Sequence, residues 1–319
     1  MNKIFKPKLS GPILVTGASG FVGSHVARKL VSLGCDTHVL VRPTSDLWRL
    51  KDIVPKITLH YGDLADKASV EKIITTVKPK GIFHLGAATV VSGLGVGSET
   101  MIATNVLGTA NLMDAASSYP YDFFVTMGSF LEYGFKDHPI AESELCQPGE
   151  LYGITKLLGT LYGQSLARST GKPIVTLRLF TPYGPWNEKE RLTHKIIASA
   201  LQGKDIALTR PTVSRDFVFI DDIVEALLEA AEKASKYRGE IFNLGSGVRT
   251  PIGDVVSYIL KKTGSKSEVK WGAFHSVSYD SDIWQADMTK TFSRFSWRPK
   301  HSLHAGLDKT IEHFKKHAC

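Results

Sequence analysis

Tyr152 and Lys156 stand four residues apart in a stretch, 151–170, whose pattern predicts a helix. That spacing puts both side chains on one helix face. A tyrosine hydroxyl titrates near ~10 and is a poor base at neutral pH. An ammonium beside it stabilises the phenolate and is expected to lower that value. Such a pair can pass a proton to or from a substrate hydroxyl while a hydride moves. Ser129, at the end of an expected strand, is placed to hydrogen-bond the reacting oxygen. The same spacing is common on solvated helix faces, so its weight depends on what lies upstream.

Upstream is a strand, a glycine turn and a helix. Ile13, Leu14 and Val15 read as a short buried strand, and Gly17, Gly20 and Gly23 follow with spacing GxxGxxG. Val26, Ala27, Leu30 and Val31 then carry a helical pattern. The run Gly17, Ser19, Gly20, Phe21, Val22, Gly23 is expected to hold a dinucleotide. Gly17 permits the tight turn, Gly20 lets backbone approach a pyrophosphate, and Gly23 lets the helix pack against the strand. The helix N-terminus faces the negative charge. The second strand ends Val-Leu-Val-Arg42, with Arg49 close behind and no acid at its tip. A guanidinium there suits a ribose 2′-phosphate, so NADP(H) is the expected cofactor and NAD the alternative. Asp63, in Gly62-Asp63-Leu64, can accept from an adenine amino group or serve as a turn residue. The small residues of His84-Leu85-Gly86-Ala87-Ala88 let a cofactor lie against backbone, and His84 itself is assigned no chemistry.

The elements that must position these residues alternate. Strands are expected at 13–16, 37–41, 57–60, 81–85, 122–127 and 173–179, and helices at 22–33, 66–77, 99–118 and 151–170. This is the signature of an α/β fold, a Rossmann doubly wound parallel sheet. After the turn-rich break at 181–186 come a helix (191–202), a strand (216–219), a helix (222–234), a strand (240–244) and helices at 252–263 and 303–316. The expected division is a dinucleotide-binding domain over 1–180, with 216–246 returning to it. The segments 181–215 and 247–319 then form a smaller C-terminal substrate-binding lobe.

The chain has 319 residues, 43% hydrophobic and 22% charged, enough for a substantial core. No run of ~18 apolar residues points to a membrane span, and basic Met1–Ser10 lacks the apolar stretch of a signal peptide. Three dispersed cysteines, Cys35, Cys146 and Cys319, fit reduced thiols in a cytoplasmic protein. The net charge of +8 comes from scattered basic residues without a nucleic-acid motif; attraction of small anionic ligands explains it as well as a solvated surface does. Asp221-Asp222, at a helix start, read as capping residues and not as paired catalytic acids. His313, His317 and Cys319 read as a solvated face, and no metal is expected. Gly159 and Gly163 allow close helix packing, either in the core or between subunits.

Nine stretches together carry a family resemblance. They are Thr16-Gly-Ala-Ser-Gly-Phe-Val-Gly23, Gly62-Asp-Leu64, His84-Leu-Gly-Ala-Ala88, Asn105-Val-Leu-Gly-Thr109, Ser129 with Tyr133-Gly134, Tyr152-Gly-Ile-Thr-Lys156, Tyr183-Gly-Pro185, Arg215-Asp-Phe-Val-Phe-Ile-Asp-Asp222 and Phe242-Asn-Leu-Gly-Ser-Gly247. In this order they resemble an extended short-chain dehydrogenase/reductase of the nucleotide-sugar epimerase/dehydratase group. The resemblance implies a Ser129-Tyr152-Lys156 triad and a cofactor site that includes Asn105. It also implies that Arg215 meets the diphosphate of a nucleotide sugar, with Thr181 and Arg191 as further substrate candidates. A homodimer built from a four-helix bundle is usual in such proteins.

Two departures narrow the reaction. The group's 4,6-dehydratases carry Thr-Asp-Glu where this chain has Ser129-Phe130-Leu131, so the acid pair for elimination is missing. The group's uronate epimerases carry an arginine where this chain has Glu188, and an acid would repel a uronate. The expectation is an NADP(H)-preferring reductase of the C4 keto group of a nucleotide-diphosphate (6-deoxy)hexose. The alternative is a nucleotide-sugar 4-epimerase with retained NAD. A reductase of a non-nucleotide carbonyl compound and a non-catalytic dinucleotide-binding scaffold stand behind these. Arg215 in its setting argues against the former, and the intact triad against the latter.

Overall fold

The computed structural model describes residues 9–89, 96–273 and 282–317. Its centre is a seven-stranded, all-parallel sheet of β1 (Ile13–Thr16), β2 (Thr37–Val41), β3 (Thr58–Tyr61), β4 (Gly81–His84), β5 (Phe123–Ser129), β6 (Ile174–Leu179) and β10 (Ile241–Leu244). The spatial order is β10-β6-β5-β4-β1-β2-β3. The central strands are buried on both faces, which is why β1 and β4 read as apolar runs without alternation. Helices α1 (Phe21–Ser32) and α7 (Ile220–Lys233) pack on one face, α2 (Lys67–Val77), α4 (Gly108–Ser117) and α5 (Leu151–Thr170) on the other. Val26, Leu30, Ile223 and Leu227 sit in the first core, and Val70, Ile74, Leu112 and Met113 in the second. The chain turns opposite ways from β1 and β4, so the crevice at their C-terminal ends is the site such a sheet offers a ligand.

One expected helix, 99–118, is not continuous. It runs as α3 (Ser98–Ile102), a π-helical turn at 103–107 and α4. The π-turn carries Asn105, and such bulges mark places where a side chain is re-aimed. The strand expected at 216–219 is β9 (Ser214–Phe219), and it does not join the main sheet. The free edge of β6 is taken by β10, with Ile241 opposite Thr176. β9 pairs instead with β7 (Thr181–Tyr183), β11 (Arg249–Pro251) and β13 (Ile283–Trp284). Of the stretch expected to return to the main sheet, α7 and β10 do so and β9 does not. Helices α6 (Leu192–Gln202), α8 (Ile252–Thr263) and α10 (Leu303–Lys316) pack together beside this second sheet. Outside these layers lie the short pair β8 (Ile206–Ala207) and β12 (Val269–Lys270) and the short helix α9 (Thr289–Arg294).

Candidate active site

The glycine turn is built for an anion. Gly17 has φ +71°, and a Cβ there would come within 2.6 Å of the Leu85 carbonyl. A side chain at Gly23 would overlap the Gly17 carbonyl, so its role is to accommodate the turn itself as α1 begins. Gly20 is the N-cap of α1 and no side chain caps the helix. The first-turn amides of Phe21, Val22 and Gly23 therefore face outward toward a ligand. The Phe21 ring is buried in the core, leaving its backbone for the site. Leu64 is buried against Gly86 and Gly108, while Leu85 and Ala87 line the half-buried segment leaving β4. Asp63 accepts from the Ala65 amide at 2.9 Å, as a turn residue does.

Asn105 is fully engaged. It accepts from the Ala88 amide (2.7 Å) and donates to the Ala88 carbonyl (2.9 Å) and to Thr155 Oγ1 (3.0 Å). It ties the segment after β4 to the helix bearing Tyr152 and Lys156. His84 lies between Thr16 and Thr109, and burial drives its pKa down to about 3, with the nearby Lys156 adding to the effect. It is a neutral hydrogen-bonding residue of the core.

Two local devices set the places of the catalytic candidates. Glu150 caps α5, accepting from the Tyr152 (2.9 Å) and Gly153 (2.6 Å) amides, and so fixes Tyr152 in the first turn. Gly153 lies against the Leu131 carbonyl, which brings that turn onto the end of β5. Ser129 Oγ accepts from the Leu131 amide at 3.2 Å, leaving its proton to donate elsewhere. Lys156 is buried; burial lowers its pKa and Glu132 opposes that. Tyr152 departs from expectation. Burial pushes its phenol up to about 12; Arg191 draws it down, and Glu132, Glu150 and Glu188 push it further up. The lowering expected from Lys156 is not found: the cation acting on the phenol is Arg191, and the loss of phenolate hydration outweighs it.

Glu132 is the residue that sequence reasoning passed over. It is fully buried beneath Ser129 and ion-paired with Arg178 at 2.7 Å. The signal was present: Ser129-Phe-Leu-Glu132 is a capping-box pattern, and the structure forms that box.

At the substrate end, Thr181 presents a buried hydroxyl without a hydrogen-bond partner. Arg191 is the N-cap of α6, with Nε 3.6 Å from Glu188. Arg215 lies half-buried on β9 and donates to the Ser214 carbonyl at 3.0 Å. Its neighbour Asp216 is buried and receives the amides of Ser246 (2.6 Å), Gly247 (2.9 Å) and Ala286 (3.0 Å) and the Ser246 hydroxyl (2.6 Å). Burial raises its carboxyl to about 6 against the pull of those donors.

Arg42 is exposed at the tip of β2. Arg49 is occupied elsewhere: it donates to the carbonyls of Trp186 (2.9 Å) and Ser19 (3.1 Å) and lies 3.9 Å from Glu188. The glycine cradle and uncapped helix start fit a dinucleotide diphosphate; of the two arginines that follow β2, Arg42 is the one left exposed for a 2′-phosphate.

Asp222 holds the backbone amides of Lys300 and His301, each at 3.1 Å, so it acts structurally. Gly159 and Gly163 face Thr109 and Met113, inside the subunit. Among the described residues no group of three or more His, Cys, Asp or Glu is arranged for a metal ion; Cys319 lies outside them. No helix among them is long and apolar enough to cross a membrane.

The doubly wound parallel sheet and the glycine turn between β1 and α1 are the architecture of an extended short-chain dehydrogenase/reductase. Residues 13–245 match the model of the NAD dependent epimerase/dehydratase family, and the chain belongs to that family. It is 31% identical to a Bacillus subtilis (strain 168) protein named an uncharacterized UDP-glucose epimerase, over 94% of this chain and 96% of that one. The fold is similar to UDP-glucose 4-epimerase of Thermotoga maritima, solved with UDP-glucose (TM-score 0.88, 28% identity, 97% and 100% coverage). It is also similar to UDP-glucuronic acid 4-epimerase of Bacillus cereus in complex with UDP-glucuronic acid and NAD (TM-score 0.86, 26% identity, 96% and 99% coverage).

Proposed function

We propose that this protein is a nucleotide-sugar 4-epimerase that retains NAD and acts on a neutral UDP-hexose. The observation that carries the choice over an NADP(H)-consuming reductase is the engagement of Arg49 by Ser19, Trp186 and Glu188. A 2′-phosphate would meet the exposed Arg42, on which the NADP(H) expectation rested, without support from Arg49 behind it. The likeness to proteins named as UDP-sugar epimerases supports the same choice.

A dinucleotide held by the Gly17–Gly23 turn and the open first turn of α1 would supply reversible hydride acceptance for C4 of the sugar. Tyr152 takes the proton from the C4 oxygen and gives it back. Lys156 provides the positive charge that lets the phenol ionise. Ser129 donates its free proton to the reacting oxygen. Thr181 offers its unpartnered hydroxyl to the substrate, and Arg191 and Arg215 offer charge to its diphosphate. Glu188, held between Arg49 and Arg191, disfavours a uronate by like-charge repulsion.

The test is to denature the purified protein, identify any dinucleotide by mass, and assay UDP-glucose, UDP-galactose and UDP-glucuronate without added cofactor. Stoichiometric NAD with interconversion of the neutral pair is the expected outcome. Turnover only with consumption of added NADPH would reject it in favour of the reductase.

A further inference from the structure

We infer that Glu132 is a positioning residue for the reaction: its buried carboxylate fixes Ser129 from behind and ties it, through Thr160, to the helix that carries Tyr152 and Lys156. The inference rests on the roles proposed above for Ser129, Tyr152 and Lys156.

Three elements converge on this carboxylate. Oε1 accepts from the Ser129 amide (2.8 Å), at the end of β5, and from Thr160 Oγ1 (3.1 Å), on α5. Oε2 accepts from Arg178 Nε (2.7 Å), on β6. The Arg178 guanidinium lies 4.4 Å over the Tyr133 ring and donates to Cys146 Sγ at 3.2 Å. Gly128 leaves the room: a Cβ there would lie 2.6 Å from Glu132 Oε1. An apolar pair at 132 and 178 would fill this volume without desolvating two charges, and such replacements are often neutral or stabilising. The ion pair is therefore not accounted for by stability alone, and its position under the triad supplies a use.

The carboxylate acts on both catalytic side chains. It holds the Lys156 ammonium against the cost of burial, and Lys156 in turn faces neutral His84. It also keeps the Tyr152 phenol protonated, together with Glu150 and Glu188 and against Arg191. Removing the charge should lower both titrations together.

The test compares Glu132→Gln and Glu132→Asp with wild type in the dinucleotide-loaded full chain. One readout is competitive acetylation of Lys156 by acetic anhydride across pH, scored by peptide mass. The other is the pH profile of kcat/KM. Glu132→Gln is expected to move both Lys156 labelling and the profile to lower pH. Glu132→Asp, which keeps the charge, is expected to retain the wild-type positions at reduced kcat. Wild-type positions in Glu132→Gln, with only lower activity, would overturn the inference and leave Glu132 a packing residue. Where Glu132→Gln fails to fold, Glu132→Gln/Arg178→Met removes both charges and carries the same readouts. Acetylation needs no turnover, so failure of the epimerase reading would be seen separately, as wild type that binds dinucleotide and does not convert UDP-hexoses.

Discussion

Tyr152 holds its proton firmly in this structure, with a pKa near about 12 set first by burial. A base that must lose that proton works faster as pH rises, so kcat/KM for the oxidation step should climb through the neutral and mildly alkaline range. Besides the role proposed for Lys156, Arg191 eases ionisation. Arg191→Met should therefore displace the rising limb to higher pH, which a pH series on both proteins would detect. Tyr152→Phe should reduce turnover by on the order of a thousandfold or more while leaving dinucleotide content intact, as read by mass after denaturation. That Tyr152 and Lys156 share one helix and that Ser129 ends a strand was legible, because periodicity and apolar runs are properties of sequence. The electrostatic surroundings of Tyr152 were not, because beside its own N-cap Glu150 they depend on burial and on Glu132, Glu188 and Arg191, which come from other parts of the chain.

The segment after β7 is strapped to the dinucleotide side of the molecule. Trp186 adopts φ +64°, a conformation uncommon for its type, and its ring lies 4.2 Å beneath the Arg28 guanidinium. Neutral His25, lowered to about 4 by burial, donates to the Pro185 carbonyl at 3.1 Å. Arg49 completes the strap by joining the Trp186 and Ser19 carbonyls. Arg49→Met should loosen the glycine turn and speed dinucleotide loss by roughly tenfold, equivalent to about 1.4 kcal/mol, the scale of one or two charge-assisted hydrogen bonds. Dialysis followed by quantifying protein-bound dinucleotide would measure it. The main strands and helices were readable from apolar runs and periodicity, to within a few residues. The π-turn at 103–107 and the pairing of β7, β9, β11 and β13 were not. Strands of two to six residues take their partners from the edges left available, and no local pattern records which edge is filled.

Across the whole molecule the conspicuous surface is an apolar strip on and beside α3 and α5: Ile102, Leu107, Ile154, Leu158, Leu161 and Tyr162 are all exposed. Such a strip suits self-association through four helices, two from each copy. Leu158→Glu/Leu161→Glu should convert a dimer to a monomer in sedimentation or light scattering; an unchanged mass would place any interface elsewhere. The sheet has a second consequence, in the order of synthesis. β10 covers the edge of β6, yet it is made only after β7, β9 and α7. Its Asn243 receives the Tyr133 hydroxyl at 2.7 Å, so the loop beside Ser129 also waits for it. A nascent chain that has already formed its glycine turn and triad still presents an unpaired β6, and open strand edges invite pairing with other chains. The finished protein closes the matter at β10 itself, where Lys290 donates to the Ile241 carbonyl at 2.8 Å. A fragment ending within α7 would therefore hold nearly every residue named in the chemistry and remain prone to aggregate on the ribosome.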